Sequence, residues 1–258
     1  MKQLSSRDNP QYKALVRLVR SARTRREQSQ LVLDGIHLVE SYMQAFGTGT
    51  LQLFVRLSAA DHPEVAALSA RAPCTVLQDT LFNEAAPVDS PVGILAVAAI
   101  PRVERNLDTS GFQVLLDGIQ DPGNLGAILR SAAATGATAA HLSRSCADPW
   151  SPKALRGGMG AQFCLPVLEH DDLNAGAAGL GCRLLAATRD ATQSLFATDL
   201  RGPVGFVIGG EGAGISPGVL ASVPERIRIP MRAGIESLNV ACAAAVIFYE
   251  WLRQSRVA

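Results

Sequence analysis

Val204-Gly205-Phe206-Val207-Ile208 runs without a polar break into Gly209-Gly210-Glu211-Gly212-Ala213-Gly214. No other stretch limits the fold as strongly. Glycines at the end of an apolar strand let backbone amides approach something closely. A second apolar strand leads to Ile229-Pro230-Met231, then Ser237-Leu238-Asn239-Val240 opens an apolar helix pattern that reaches Trp251. A glycine turn, a strand and a polar helix start in this order form a binding-site pattern. The turn is not a dinucleotide fingerprint, because no register gives GxGxxG and Pro217 stands where a glycine is needed. No GxxxxGK[ST] exists either, so a P-loop is excluded. Glu211 would repel a phosphate, which favours a ligand that is neutral or cationic beside the turn. A glycine-rich hairpin turn is the bland alternative.

Upstream, strands alternate with helices. Residues 9–27 read as one helix with Pro10 in its first turn, and 31–35 as a strand. Further strands are expected at 51–57, 74–77 and 92–100, with helices at 36–46, 61–70 and 81–85. That is a small α/β unit over residues 1–100. Residues 101–111, with Arg102, Glu104, Arg105 and Asp108, break the pattern and read as a linker. A second α/β unit occupies 112–258, with strands near 112–116, 139–142, 164–168, 184–188, 204–208 and 226–230. Its helices are expected at 125–135, 151–159, 173–178, 217–222 and 237–252.

Charge is unevenly spread. Residues 1–30 hold eight basic side chains against Asp8 and Glu27, a balance of +6, so the net charge of +1 leaves −5 for the remainder. Arg17, Arg20, Arg23, Arg25 and Arg26 therefore suggest an arm that faces a polyanion, the alternative being a solvated amphipathic helix. Five scattered cysteines without a CxxC pair and four scattered histidines suggest neither a disulfide framework nor a metal site, and most of the cysteines read as small buried apolar residues. No export signal or membrane-length apolar run is visible, which makes a reducing cytoplasm the expected location.

Three positions stand out chemically. Asn124, after Asp121-Pro122-Gly123, reads either as a helix cap or as a ligand group. Arg130, on a helix otherwise made of Leu, Ile and Ala, either snorkels or finds an anion. Ser237 suits a helix cap, whereas Asn239 is a poor helix former and needs a purpose. HExxH and GxSxG motifs are absent from the sequence, which points to a chemistry without a metal or a covalent nucleophile.

Three blocks together resemble the motifs of the SpoU (TrmH-like) RNA 2′-O-ribose methyltransferases of the SPOUT superfamily. They are Asp121–Ala132, Ile208–Ile215 and Ile229–Met231 continuing through Ser237–Val240. Pro152–Ala161 is similar to the family's intervening helix, and residues 1–100 resemble the smaller substrate-binding domain that many members carry. The resemblance implies an α/β parallel-sheet domain with a deep trefoil knot, acting as a homodimer. It implies S-adenosylmethionine held by Thr188, Gly209, Gly210, Glu211, Gly212, Ile229, Met231 and Leu238. It also implies Arg130 as the key catalytic residue, supported by Asn124, Glu211, Ser237 and Asn239, with Arg156 joining the arm in contacting RNA. Large-subunit ribosomal RNA is the expected substrate. A transfer-RNA methyltransferase and a non-catalytic RNA-binding or ribosome-assembly protein on the same fold stay open as alternatives. The sequence departs from the family in following Asn239 with Val240-Ala241-Cys242-Ala243.

Overall fold

A computed structural model of the chain describes residues 2–102 and 108–255. Residues 103–107 of the 101–111 linker reading lie outside the described residues. Two compact units emerge. One runs up to Arg102 and takes in Trp150–Phe163, and the other holds the rest.

The first unit contains strands β1 (Lys2–Leu4), β2 (Gln30–Asp34), β3 (Gln52–Arg56), β4 (Cys74–Leu77) and β5 (Ile94–Ala99). Their order is β1-β4-β3-β5-β2, with β5 antiparallel to both neighbours and the other pairs parallel. Its helices are α1 (Pro10–Arg20), α2 (Ala22–Gln28), α3 (Ile36–Phe46), α4 (Pro63–Ser69) and α5 (Asp79–Ala85). Leu15 and Leu18 of α1 bury into a core with Val32, Phe54, Leu77 and Phe82. No sequence pattern announces β1, because three residues carry no period and only pairing with β4 defines them.

The single helix expected over 9–27 is broken. Ser21 takes extended backbone angles, and its hydroxyl accepts from the Thr24 amide to cap α2. Arg25 then turns inward and is 4 % exposed. Its Nη1 donates to the carbonyls of Leu18 (2.6 Å) and Val19 (3.2 Å), in the last turn of α1 where intrahelical partners run out. Arg25 is thus a helix-end clasp and departs from the expected polyanion-facing arm. Arg17, Arg20, Arg23 and Arg26 are not buried in this way.

The reading of 112–258 as one continuous domain is also corrected. Helix α7 (Pro152–Gly158), reached in sequence after two strands of the second unit, belongs by contact to the first. Arg156 Nη1 donates to Asp34 Oδ2 at 3.1 Å, and the ring of Phe163 sits edge-on to Tyr42 at 5.5 Å. Burial pushes the Asp34 carboxyl up, with the Arg156 hydrogen bond and charge opposing it. A paired, half-buried guanidinium is a structural tie, so Arg156 departs from the RNA-contact expectation.

The second unit is a six-stranded, all-parallel sheet. In chain order its strands are β6 (Gln113–Asp117), β7 (Ala139–Ser143), β8 (Val167–His170), β9 (Arg183–Ala187), β10 (Val204–Gly209) and β11 (Glu225–Ile227). The order across the sheet is β11-β9-β10-β6-β7-β8, which puts β10 and β6 at the centre and explains the apolar run of β10 and the apolar centre Val114–Leu116 of β6. Helices α6 (Pro122–Thr135), α8 (Leu173–Ala177), α9 (Pro217–Ser222) and α10 (Val240–Ser255) complete the unit. Among the described residues no helix is long and apolar enough to cross a membrane. None of the five cysteines is fully buried, and Cys164 and Cys242 are exposed, so they are not the core residues expected.

One polar chain crosses this unit. Gln113 Nε2 donates to the Asp108 carbonyl and to Thr138 Oγ1, both at 2.7 Å, which leaves Gln113 Oε1 for His141 Nε2 at 3.2 Å. His141 Nε2 therefore carries a proton, and its Nδ1 accepts from His170 Nε2 at 3.0 Å. Protonating His141 would set two N–H groups against each other. Burial, then the neighbouring His170, push His141 down to about 4. Because the folded value lies below the unfolded one, the pair's contribution to stability is present above about pH 6.5 and lost as pH falls towards 4. The loss should be on the order of 3 kcal/mol. Urea unfolding of the wild type and of His141→Gln at pH 7 and pH 4.5 checks this. The variant should lose much less stability on acidification, and equal losses would discard the assignment.

Candidate active site

The second unit's glycine turn is built by close backbone approach. A Cβ on Gly209 would lie 2.1 Å from the Gly214 carbonyl carbon, and one on Gly210 would lie 2.0 Å from the Gly118 carbonyl oxygen. Gly212 and Gly214 have φ of +85° and +68°, which favour glycine. The glycines thus serve packing and turn geometry together.

Asp117, at the end of β6, brackets the turn from both sides. Its carbonyl accepts from the Gly210 amide at 2.8 Å, and its buried carboxylate accepts from the Ser216 amide at 2.8 Å. Beyond it, the Gly118 amide donates to Ser143 Oγ (3.0 Å) and the Ile119 amide to Cys146 Sγ (3.4 Å). Sequence reasoning passes over Asp117. An acid ending an apolar strand is the available signal, and by itself it reads as an ordinary turn residue.

The alternatives left open for the two asparagines are decided by their hydrogen bonds. Asp121, not Asn124, caps α6, accepting from the Asn124 amide at 2.9 Å. The Asn124 side chain is thereby released, and its Nδ2 donates to Glu211 Oε1. Ser237 is not the cap of α10, because that helix begins at Val240. Asn239 caps it, its Oδ1 accepting from the amides of Ala241 (2.9 Å) and Cys242 (3.3 Å). Asn239 Nδ2 donates in turn to Asn124 Oδ1 at 3.1 Å. One directional chain therefore runs from the α10 amides through Asn239 and Asn124 to the Glu211 carboxylate. Each link polarises the next, and the helix end supplies positive potential at its start.

The remaining expected residues fall into three groups. Arg130 is exposed on α6, within two turns of Asn124, and has no hydrogen-bond or ion-pair partner among the described residues. Thr188 Oγ1 is buried beside the Asp190 carboxylate, and Ile229 and Met231 are half-buried. Residues 232–239 lie open, with Ile235 58 % and Leu238 40 % exposed. A buried hydroxyl at the end of β9, a glycine cradle and uncovered apolar side chains suit a ligand that is part polar and part apolar, as S-adenosylmethionine is. No described bond joins Ser237 to the asparagine chain.

A parallel α/β unit with a close-packed glycine turn at its strand ends, beside a linked carboxamide and carboxylate cluster, is the frame of a ligand-binding site. The SpoU rRNA Methylase family profile matches residues 111–249. An uncharacterised tRNA/rRNA methyltransferase of Synechocystis is 32% identical over 97% of this chain and 93% of its own length. The 23S rRNA (guanosine(2553)-2′-O)-methyltransferase of Bacillus subtilis is 31% identical over 96% of this chain and 98% of its own. The crystal structure of a SpoU methyltransferase from Streptomyces viridochromogenes in complex with AdoMet superposes with a TM-score of 0.86. It is 25% identical and covers 97% of this chain and 99% of that one. The chain belongs to the SpoU rRNA methylase family.

Two measurements test the site's construction. Gly210→Ala must displace the Gly118 carbonyl, and should abolish S-adenosylmethionine binding in calorimetry. Gly202→Ala, strained only by its φ of +85°, should bind normally and lose about 1–2 kcal/mol of stability. A double-mutant cycle on Asn124→Ala and Glu211→Gln should give a coupling of about 1 kcal/mol in methyl-transfer rate. Additive effects would show that this contact does not matter to the reaction.

Proposed function

We propose that this protein transfers a methyl group from S-adenosylmethionine to a ribose 2′-hydroxyl of large-subunit ribosomal RNA. The observation that carries the proposal is the chain Asn239–Asn124–Glu211, which links residues from all three sequence blocks beside the glycine turn. The Bacillus subtilis relative, named for a 23S rRNA guanosine, aligns with both units and so favours ribosomal over transfer RNA. Cofactor contacts are assigned to Thr188, Gly209, Gly210, Glu211, Gly212, Ile229, Met231 and Leu238.

S-adenosylmethionine supplies, when bound, a methyl group on an electrophilic sulfonium, so no covalent enzyme intermediate is needed. The protein aligns the hydroxyl in line with that methyl and excludes water. The Glu211 carboxylate, oriented by Asn124, gives the turn a negative charge suited to a cationic centre. Arg130 grips an RNA phosphate beside the reacting ribose, since its guanidinium stays protonated and matches phosphate bidentately. Ser237, in the open segment before α10, is free to bond the RNA or the methionine end.

The arm's Arg17, Arg20, Arg23 and Arg26 serve the RNA backbone. Threading of the chain end into a knot, pairing of two copies through the α10 side of the unit and residence in the cytoplasm complete the reading. Exposed Val246 and Tyr249, one turn apart on α10, support the pairing.

Transfer of a labelled methyl group to ribosomal RNA from cells lacking the gene, followed by mapping of 2′-O-methyl sites, tests the activity. Arg130→Ala should lower the transfer rate by about 10²–10³-fold with cofactor affinity nearly unchanged. An active Arg130→Ala enzyme would remove Arg130 from the catalytic role.

A further inference from the structure

The second unit's described residues include nine arginines and no lysine. Six of the nine are held by the protein itself. Arg144 pairs with Asp171, Arg183 with Glu225, Arg201 with Asp199, Arg226 with Asp190 and Arg253 with Glu250. Arg189 donates to the Glu236 carbonyl at 3.3 Å. The three without a partner among the described residues are Arg130, Arg228 and Arg232. One is the proposed catalytic residue, and the other two flank Ile229 and Met231 on the cofactor segment.

Position sharpens the contrast. β11 is the edge strand of the sheet, and Arg228, just past its end, makes a parallel bridge to Ser194. The register Ile227↔Ala187 sets Arg228 abreast of Thr188, assigned to the cofactor cradle. Its backbone is clamped, its amide donating to the Gln193 carbonyl (2.9 Å) and its carbonyl accepting from the Leu195 amide (2.8 Å). Arg232 sits in the tight turn closed by the Ile235 amide and Gly234, whose φ is +92°. Both residues are exposed while both backbones are held. Nearby acids are largely spent, Glu225 on Arg183 and Asp190 on Arg226, leaving Glu236. This local excess of positive charge lies outside the basic arm, in a chain whose residues after 30 sum to −5.

We propose that Arg228 and Arg232 form a phosphate clamp that holds the RNA strand along the cofactor segment. The clamp rests on the RNA-methyltransferase reading and deepens it. Two unpaired guanidiniums on held backbones suit phosphates of one strand, because each offers a planar fork that matches phosphate oxygens. They supply positioning without base specificity, so they fix the strand against the site while sequence choice lies elsewhere.

The test uses the full chain and protein-free large-subunit ribosomal RNA, bound on filters over a salt series and methylated with labelled S-adenosylmethionine. The double variant Arg228→Gln/Arg232→Gln should flatten the slope of log affinity against log salt by about 1.4–1.8, the loss of two phosphate contacts. It should raise KM for RNA more than it lowers kcat, with calorimetric cofactor affinity unchanged. Arg228→Lys/Arg232→Lys should restore most of the slope, and Arg201→Gln, whose side chain is engaged with Asp199, should leave it unaltered. If the unsubstituted protein binds and methylates RNA while the Gln pair keeps its full salt slope, the clamp is overturned and the enzyme reading stands. The clamp is equally overturned if the Gln pair loses slope only because it self-associates. If the unsubstituted protein neither binds nor methylates RNA, the enzyme reading fails and the clamp with it.

Discussion

The close approach of backbone to backbone at Gly209 and Gly210 is the constraint on which the rest of the site depends. With only hydrogen on those α-carbons, the end of β10 can lie against the Gly118 carbonyl and the Gly214–Ile215 peptide. Asp117 converts that contact into a defined geometry by accepting one amide with its carbonyl and another with its carboxylate. The bend that follows presents Glu211 within reach of Asn124. Packing and chemistry are therefore not separable here.

The polar chain through Asn239 and Asn124 shows how a surface site can be ordered without burial. Each carboxamide uses its oxygen to accept and its nitrogen to donate, so one orientation satisfies both asparagines. Asp121 makes this possible by taking the capping duty at α6. Arg130, on the same helix, is left with no partner among the described residues, the state a group needs if its partner is to come from a substrate.

Much of the fold was legible in the chain. The α/β alternation, the strands of both sheets apart from β1 and most helices follow from apolar period and from glycine and proline punctuation, with ends displaced by a few residues. What failed did so for local physical reasons. The helix over 9–27 is broken because Ser21 gains more as a cap than as a helical residue. Arg25 has the look of a surface charge because sequence period cannot see an unsatisfied carbonyl at a helix end. Sequence order alone puts helix α7 with the second unit, whereas the Arg156–Asp34 pair and the Phe163–Tyr42 contact decide which unit it joins.

The sequence by itself determined the parts of the site: a glycine turn with one acid, two asparagines and a stray arginine, because glycine, proline and capping residues act over a few residues of chain. Their methyl-donor role came from the resemblance of three blocks to a known family. Only the tertiary structure decided which asparagine caps and which one reaches Glu211. Only it separated the arginines held by the protein from those left open to a ligand. Hydrogen bonds between Asn124, Glu211 and Asn239 join positions about a hundred residues apart, and such pairings have no signature until the sheet has brought them together.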